Sequence, residues 1–255
     1  MQHSAPPSRR NWSTPARAAY RELVAVLVIL IKPQTTSDEQ RFSTLQALRQ
    51  RHDRAFDNWL PHITLIPPFI LTVPSSASEE TQPIESLHSS TLSSLVSAIR
   101  EVCRHHPSHS LLLDQISTFP LRTNTNVHLR PYPTNFTDRF APASSSRRTA
   151  DDDSTHIVTL RSHLCKSLHP LLTSPAIRSN TPNQVFKPHV SVGQTTSPKA
   201  TWHLCTEAEQ LLKPTQAQQP PGMLCRVDAI QLMIKRKGDE GAYRIHTEIP
   251  LSSKV

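Results

Sequence analysis

Two copies of one five-residue pattern constrain the fold of this chain more than any other feature. Segments 61–65 and 188–192 read Pro-His-Ile-Thr-Leu and Pro-His-Val-Ser-Val, so both run proline, histidine, aliphatic, hydroxyl, aliphatic. Because such alternation is typical of β-strands, we predict strands at about 59–66 and 185–193. Side chains two positions apart in a strand share a face. Each histidine therefore lies beside a hydroxyl, and the aliphatic side chains point toward a core.

The two polar faces, brought together, would place two imidazoles and two hydroxyls around one cavity. Imidazoles can divide acid and base work near neutral pH, and hydroxyls can donate hydrogen bonds to phosphate oxygens. This combination indicates cleavage or formation of a phosphoester without a metal. A single copy is weak evidence, since 88–90 reads His-Ser-Ser within a serine-rich helical stretch. The doubled pattern, with matching prolines, favours a site over an ordinary polar strand face.

The composition narrows the class of site. The chain has 255 residues, enough for one large domain or for two lobes of one domain. Only 4 residues are glycine, and no glycine-rich phosphate loop or dinucleotide-binding motif is present. The formal net charge of +8 suits a polyanionic partner such as RNA, although surplus lysine and arginine can also serve solubility alone.

Neither a metal site nor a membrane segment is indicated. The 4 cysteines follow no zinc-ligand spacing and the 14 histidines form no His-Glu-x-x-His motif, so we predict no metal and no other cofactor. The longest apolar run, 23–31, has nine residues, and a membrane span needs ~20. Cytoplasm or nucleus is the expected compartment. Because the first acidic residue is Glu22, a mitochondrial presequence stays an alternative.

The order of the predicted elements suggests an internal repeat. We expect a disordered basic arm at 1–19, a single domain at 20–250 and a disordered insertion at about 131–154. The expected lobes are about 20–130 and 155–250, with the two histidine strands side by side at the centre. Further strands are predicted at 23–31, 111–119, 126–130, 226–235 and 242–250, and helices at 37–52, 84–105, 156–172 and 202–212.

Local signals predict some of the boundaries. Ser37 or Asp38 is the expected N-cap of the first helix. The pair Pro67-Pro68 is expected to end the first motif strand. Residues 72–83 are rich in serine, proline and glutamate and are predicted to form a loop, and 238–241 is the expected turn of the last hairpin.

The motifs resemble those of the two-histidine phosphoesterase superfamily, which includes 2′-5′ RNA ligase-like proteins and cyclic phosphodiesterases. The family hallmark is a pair of His-x-Thr/Ser-x motifs, matched here by 62–65 and 189–192. The resemblance covers roughly 20–250 and implies an α+β, bilobal, pseudo-two-fold fold, with two antiparallel-rich sheets and outer helices around a central cleft. Other segments similar to those of the family are 59–61, 116–120, 127–129, 186–188 and 241–243.

The resemblance implies catalytic roles for four residues, His62, Thr64, His189 and Ser191. The histidines would act as general base and general acid, here assigned to His189 and His62 respectively, although the sequence itself does not distinguish them. Thr64 and Ser191 would hold the non-bridging phosphate oxygens. Ser191 stands where the family commonly has threonine, and it keeps the hydroxyl.

The implied activity is that of a metal-independent phosphodiesterase acting on RNA ends or nucleotide 2′,3′-cyclic phosphates. Hydrolysis would leave a 2′-phosphate, and the reverse reaction would be 2′-5′ RNA ligation. Two alternatives stay open, a 3′ RNA exonuclease of the same superfamily and a non-catalytic module that binds a nucleotide or RNA. The expected partners are RNA ends or cyclic nucleotides, and we expect a monomer.

Four further residues are candidate substrate contacts. Tyr243 and Phe119 could stack a base, and the ordinary alternatives are a half-buried strand aromatic and core packing. His128 lies in a predicted strand beside the cleft, where a solvated histidine is the ordinary alternative. Lys187 could guide a phosphate or simply belong to a basic surface.

Overall fold

Ten β-strands, four α-helices and one 3₁₀ helix make up the part of the chain that the computed structural model describes, residues 19–75, 89–131, 153–172, 186–214 and 221–253. Residues 1–18 of the arm predicted at 1–19 and residues 132–152 of the insertion predicted at about 131–154 lie outside these ranges. The described ends differ from the prediction, because Ala19 begins a strand and Asp153 begins a helix. The division into two lobes stays a prediction. The strands are β1 (Ala19–Leu30), β2 (Lys32–Pro33), β3 (His62–Ser75), β4 (His109–Leu113), β5 (Gln115–Pro120), β6 (Thr125–Arg130), β7 (Val190–Thr195), β8 (Met223–Val227), β9 (Ala229–Arg236) and β10 (Arg244–Pro250). The helices are α1 (Thr36–His52), α2 (Ser90–Arg104), α3 (Asp153–Leu168), α4 (Pro198–Leu212) and the 3₁₀ helix Phe56–Asn58.

The strands form three sheets, and every strand pair is antiparallel. The strand orders are β10-β9-β1-β3, β2-β8-β4 and β5-β6-β7. The α+β class is confirmed, whereas the predicted number of two sheets is wrong. Asp114 and Asp228 split the strands predicted at 111–119 and 226–235, so that each half joins a different sheet. Aspartate is depleted in strands, and Asp228 instead accepts side-chain hydrogen bonds from Lys32 and Arg226.

Strand β1 lies inside the four-stranded sheet, paired with β3 on one side and β9 on the other. Leu27 and Ile29 enter the main hydrophobic core, while Val26 and Val28 enter a second, smaller cluster with Met233. Burial on both faces explains why this strand is a continuous aliphatic run and could be predicted from it.

The first motif begins β3, the edge strand of the same sheet. The predicted end at Pro67-Pro68 is wrong, because β3 continues to Ser75 and the loop predicted at 72–83 begins inside it. Proline lacks the N–H that a strand ladder uses and is tolerated on edge strands and at bulges. The pairing of β3 with β1 is irregular there, since the two prolines stand opposite the single residue Val26.

Helix boundaries differ from the predicted ones where hydroxyl side chains form the caps. Thr35, rather than Ser37 or Asp38, is the N-cap of α1, and its hydroxyl accepts a hydrogen bond from the amide of Asp38. Ser89 has extended backbone angles and caps α2, so the helix predicted at 84–105 is not continuous through Ser89; residues 84–88 lie outside the described ranges. Ser197 caps α4, which therefore begins before the predicted residue 202.

Helix α1 packs closely against β7, the strand of the second motif. A Cβ atom placed on Gly193 would lie 2.5 Å from the Cβ of His52 and 2.9 Å from its backbone carbonyl, so the position leaves no room for a side chain. The contact holds the end of α1, from which the chain leads into the first motif, against the strand of the second motif.

Candidate active site

A cavity of about 230 Å³ lies between the two motif strands. These strands are edges of different sheets, β3 of the four-stranded sheet and β7 of the sheet β5-β6-β7. The two strands lie next to each other, as expected, but they are not hydrogen-bonded to each other, because each pairs with a strand of its own sheet. The cavity is lined by His62, Thr64, Ser191, Arg49, Asp53, Ala55, Trp59, Leu60, Pro61 and Gln194.

His62 is held in one tautomer by its own backbone. Its Nδ1–H donates to the carbonyl of Leu60 over 2.7 Å, and its Nε2 lies 3.1 Å from the hydroxyl of Thr64. In the neutral ring Nε2 is unprotonated, so Thr64 donates to it. Burial lowers the pKa of His62 below its ordinary 6.5; the charges of Arg49 and His189 act in the same direction, and the Leu60 carbonyl opposes them. His62 is therefore neutral near pH 7 and can accept a proton at Nε2.

His189 repeats this backbone contact. Its Nδ1–H donates to the carbonyl of Lys187 over 2.9 Å. The strand predicted at 185–193 begins only at Val190, since Pro188 has no N–H to donate to a ladder, and His189 precedes it. The side chain of Lys187 is exposed, its backbone carbonyl holds His189, and its charge helps to lower the pKa of His128.

Both motif strands carry an extra residue directly after the hydroxyl position. In β3 the extra residue is Leu65, which follows Thr64, and in β7 it is Val192, which follows Ser191. A bulge of this kind redirects the side chains beyond it. Simple alternation would put Gln194 on the face opposite Ser191, whereas both residues line the cavity.

Aromatic rings flank the first histidine. The ring of Trp59 lies 4.7 Å from that of His62 and stacks on Tyr243 at 4.1 Å between centroids. The ammonium of Lys235 lies 5.0 Å from the centre of the Tyr243 ring, a cation–π contact. The structure thus brings Tyr243 to the first motif through Trp59, whose part in the site the sequence reasoning missed although it flanks the motif.

A second ring cluster surrounds the second histidine. The ring of His189 lies 5.3 Å from Phe119 and 5.0 Å from His128, and these two lie 5.0 Å apart. His128 is only 5% exposed, which rules out a solvated histidine. Burial lowers its pKa to about 4, and the positive charges of His189 and Arg130 act in the same direction. His128 is therefore a neutral neighbour of His189 near pH 7.

A buried polar network joins the two motifs. Arg49 donates to the Asp53 carboxylate over 2.8 Å and to the carbonyl of Trp59 over 2.8 Å. The amide of Gln194 donates to the other oxygen of Asp53 over 3.1 Å, and its carbonyl oxygen accepts from the backbone N–H of Arg54. These hydrogen bonds fix the segment that precedes the first motif to the strand of the second motif. The four-residue spacing of Arg49 and Asp53 on a helix was a readable signal, whereas Gln194 was hidden by the bulge.

A family model for the 2′-5′ RNA ligase superfamily matches residues 35–239, which include both motifs. The chain belongs to this superfamily. The resemblance inferred from the two motifs is thereby confirmed. A comparison with curated proteins found no match to this superfamily member.

Solved structures that resemble this superfamily member are distant in sequence. The protein TT0787 of Thermus thermophilus is 16% identical, with 91% of this chain and 100% of that chain covered and a TM-score of 0.47. E. coli LigT complexed with 3′-AMP is 13% identical, with 91% of this chain and 99% of that chain covered and a TM-score of 0.41. Kluyveromyces marxianus Usb1 with uridine monophosphate is 11% identical, with 89% of this chain and 98% of that chain covered and a TM-score of 0.38. The membership in the superfamily rests on the family model.

The described residues offer neither a metal-binding cluster nor a membrane-spanning helix. Within those ranges, no group of three or more histidine, cysteine, aspartate and glutamate side chains is placed to hold a metal ion. In the same part of the chain, no helix is both long enough and apolar enough to cross a bilayer. The groups that meet at the cavity are imidazole, hydroxyl, guanidinium, carboxylate and amide.

Proposed function

We propose that this superfamily member is a metal-independent phosphodiesterase that opens 2′,3′-cyclic phosphates at RNA ends or on nucleotides, leaving a 2′-phosphate. The observation that carries this function is that His62, Thr64 and Ser191 line one cavity, with His189 near enough for its charge to act on His62. Each histidine donates from Nδ1 to the carbonyl two residues earlier. This contact leaves the opposite nitrogen, Nε2, for proton transfer.

The proposed step is attack of water on the cyclic phosphorus with loss of the 3′ oxygen. Neutral His62 takes a proton from the water, and protonated His189 gives a proton to the departing 3′ oxygen. The bond from phosphorus to the 3′ oxygen breaks as the bond to the water oxygen forms, so the 2′ ester remains. Thr64 and Ser191 donate hydrogen bonds to the non-bridging oxygens as negative charge grows on them.

The histidine roles are the reverse of those assigned from the sequence. A general base must be unprotonated in the resting enzyme, and burial lowers the pKa of His62 below 6.5. The charge of Arg49 acts in the same direction, and its guanidinium lines the cavity where the phosphate would bind. Arg49 therefore favours the neutral state of His62, while the carboxylate of its ion-pair partner Asp53 acts in the opposite direction.

The size of the cavity bears on the substrate. Its volume of about 230 Å³ is below the roughly 300–1,000 Å³ of typical small-molecule sites. It suits a phosphate with part of its ribose, and the base would lie outside. The stacked Trp59 and Tyr243 beside His62, with Lys235 next to them, offer an aromatic and basic surface for that base.

The test is turnover of 2′,3′-cyclic nucleotides, and of an RNA with a cyclic phosphate end, by purified protein in EDTA. Products are identified by mass and by the position of the phosphate. We expect a 2′-phosphate, and a loss of at least about 10²-fold in kcat for His62→Ala and for His189→Ala. His169→Ala, a change at an exposed histidine beyond α3, is the matched control and keeps wild-type turnover.

Other outcomes favour the two alternatives. RNA shortened one nucleotide at a time would identify a 3′ exonuclease that uses the same histidines. RNA or nucleotide binding without any product would identify a non-catalytic binding module. Full turnover by either folded histidine variant would overturn the proposed mechanism.

A further inference from the structure

A buried asparagine stands behind the second hydroxyl. Asn126 lies on β6, the inner strand of the sheet β5-β6-β7, and is only 4% exposed. Its amide nitrogen Nδ2 donates to Oγ of Ser191 over 3.2 Å. Its carbonyl oxygen Oδ1 is buried and has no hydrogen-bond partner among the residues that the structure describes. A buried amide oxygen without a hydrogen-bond partner costs free energy. The other end of this amide, Nδ2, donates to Ser191, and we ask what that hydrogen bond does for Ser191.

The direction of this hydrogen bond decides what Ser191 can do. A hydroxyl has one hydrogen to donate and two lone pairs with which to accept. When the Asn126 amide occupies a lone pair of Ser191, the hydroxyl hydrogen is left to point elsewhere. Ser191 lines the cavity, so that hydrogen is available to a phosphate oxygen there.

The hydroxyl of the first motif is placed differently. The Thr64 hydroxyl lies 3.1 Å from Nε2 of His62 and donates to it while the ring is neutral. Thr64 must therefore give up that contact before it can donate to a ligand, whereas Ser191 need not. The difference gives Asn126 a function that simple packing would not require.

We propose that Asn126 is a positioning residue that holds the Ser191 hydroxyl as a donor aimed at a non-bridging phosphate oxygen. This role rests on the proposed function, and Asn126 lies outside both motifs. Asn126 does not touch the phosphate, and it acts only through Ser191. Removal or reversal of its hydrogen bond should therefore matter only while Ser191 is present.

The test is a double-mutant cycle with Asn126→Asp, Asn126→Ala and Ser191→Ala. Aspartate keeps the shape but can only accept, so it turns the Ser191 hydrogen away from the cavity. We expect Asn126→Asp to lower kcat by roughly 10²–10³-fold, as Ser191→Ala does, because each removes one oxyanion donor. In the Ser191→Ala background we expect Asn126→Asp and Asn126→Ala to change kcat by less than about twofold, because their partner is gone.

Two controls separate this role from charge and packing effects. A new carboxylate acting on His189 would displace the pH–rate profile in both backgrounds, whereas loss through Ser191 lowers the plateau only when Ser191 is present. Thermal unfolding of each variant reports any loss of structure, and Asn126→Ala tests the role without a new charge. Multiplicative effects of Asn126→Ala and Ser191→Ala on kcat would overturn the role of Asn126.

Failure of the proposed function would look different. If wild type turns nothing over, four proteins are titrated with inorganic phosphate: wild type, Asn126→Asp, Ser191→Ala and the double variant Asn126→Asp/Ser191→Ala. Weaker binding by Asn126→Asp only in the Ser191 background would then still support the positioning role, and equal binding by all four would overturn it. Turnover that depends on Ser191 but not on Asn126 would leave the proposed function standing and remove only this inference.

Discussion

The two motifs of this chain share one pattern but not one environment. His62 is partly buried beside Trp59, and its Nε2 contacts the hydroxyl of its own motif. His189 lies against Phe119 and a buried neutral histidine, and the hydroxyl of its motif contacts Asn126 instead. The two histidines therefore make the same contact with the backbone but have different side-chain neighbours. The pattern supplies the reactive groups, and the neighbours from other strands assign their roles.

The network that joins the motifs contains contacts of different strength, and Asp53 takes part in both: an ion pair with Arg49 and a hydrogen bond from the neutral amide of Gln194. Removing one partner of a buried ion pair leaves the other charge uncompensated, so we expect Asp53→Ala to lower the free energy of unfolding by about 3–5 kcal/mol. Gln194→Ala removes one neutral donor to Asp53 and should cost about 1 kcal/mol. Urea denaturation measures both. Exposed Asp57→Ala is the control, and equal losses for Asp53→Ala and Gln194→Ala would contradict the central place of the ion pair.

The two hydroxyls offer the next test. Ser191→Ala should lower kcat by roughly 10²–10³-fold, the usual effect of losing one oxyanion donor. The loss of kcat caused by Thr64→Val should be about tenfold smaller than that caused by Ser191→Ala, because Thr64 must leave His62 before it donates to the phosphate. Steady-state kinetics on a cyclic nucleotide measure both, with exposed Thr118→Val as control. Equal losses would indicate that the two motifs hold the phosphate in the same way.

Acidification should act on the second cluster through His128. Its pKa is lowered to about 4 in the folded protein from 6.5, so the unfolded chain binds the proton first as pH falls. Its contribution to stability is complete above pH 6.5 and is lost between pH 6.5 and 4, by about 2 kcal/mol at pH 5. Urea unfolding at pH 7 and pH 5 measures this loss. His128→Phe should remove that part of the pH dependence, and an unchanged dependence would contradict burial as its cause.

The smallest expected effect concerns the acid limb of the pH–rate profile. Since the pKa of His62 is lowered by burial, the acid limb of kcat/KM should lie below pH 6.5. Trp59→Ala exposes His62 to water and should move that limb upward, toward 6.5, by less than about one pH unit. Phe119→Ala, the matched change beside His189, should leave that limb in place. A shift by Phe119→Ala alone would identify His189 as the base instead.

Local patterns predicted much of the site. Alternation and the doubled motif gave His62, Thr64, His189 and Ser191 as candidates, and the structure brings three of them to one cavity. The aliphatic run of β1 predicted a strand buried on both faces, which is what the sheet requires. These features depend on residues near one another in the chain, so their signals can be read without knowledge of the fold.

The features that were missed depend on pairing between distant segments. Asn126 contacts Ser191 because β6 pairs with β7, which places Ser191 opposite His128, two residues from Asn126. Gln194 reaches the cavity because Val192 forms a bulge. The prolines of β3 are tolerated because this strand is an edge, a property of the sheet and not of the segment. No local pattern carries such information.

The most direct test of divided acid and base work is the pH dependence of residual turnover in EDTA by His62→Ala and by His189→Ala. Wild type should show a bell-shaped kcat/KM profile on a 2′,3′-cyclic nucleotide. His62→Ala should lose the acid limb, and His189→Ala should lose the alkaline limb. Two variants that keep the full bell shape, or that lose the same limb, would contradict the division of roles between the two motifs.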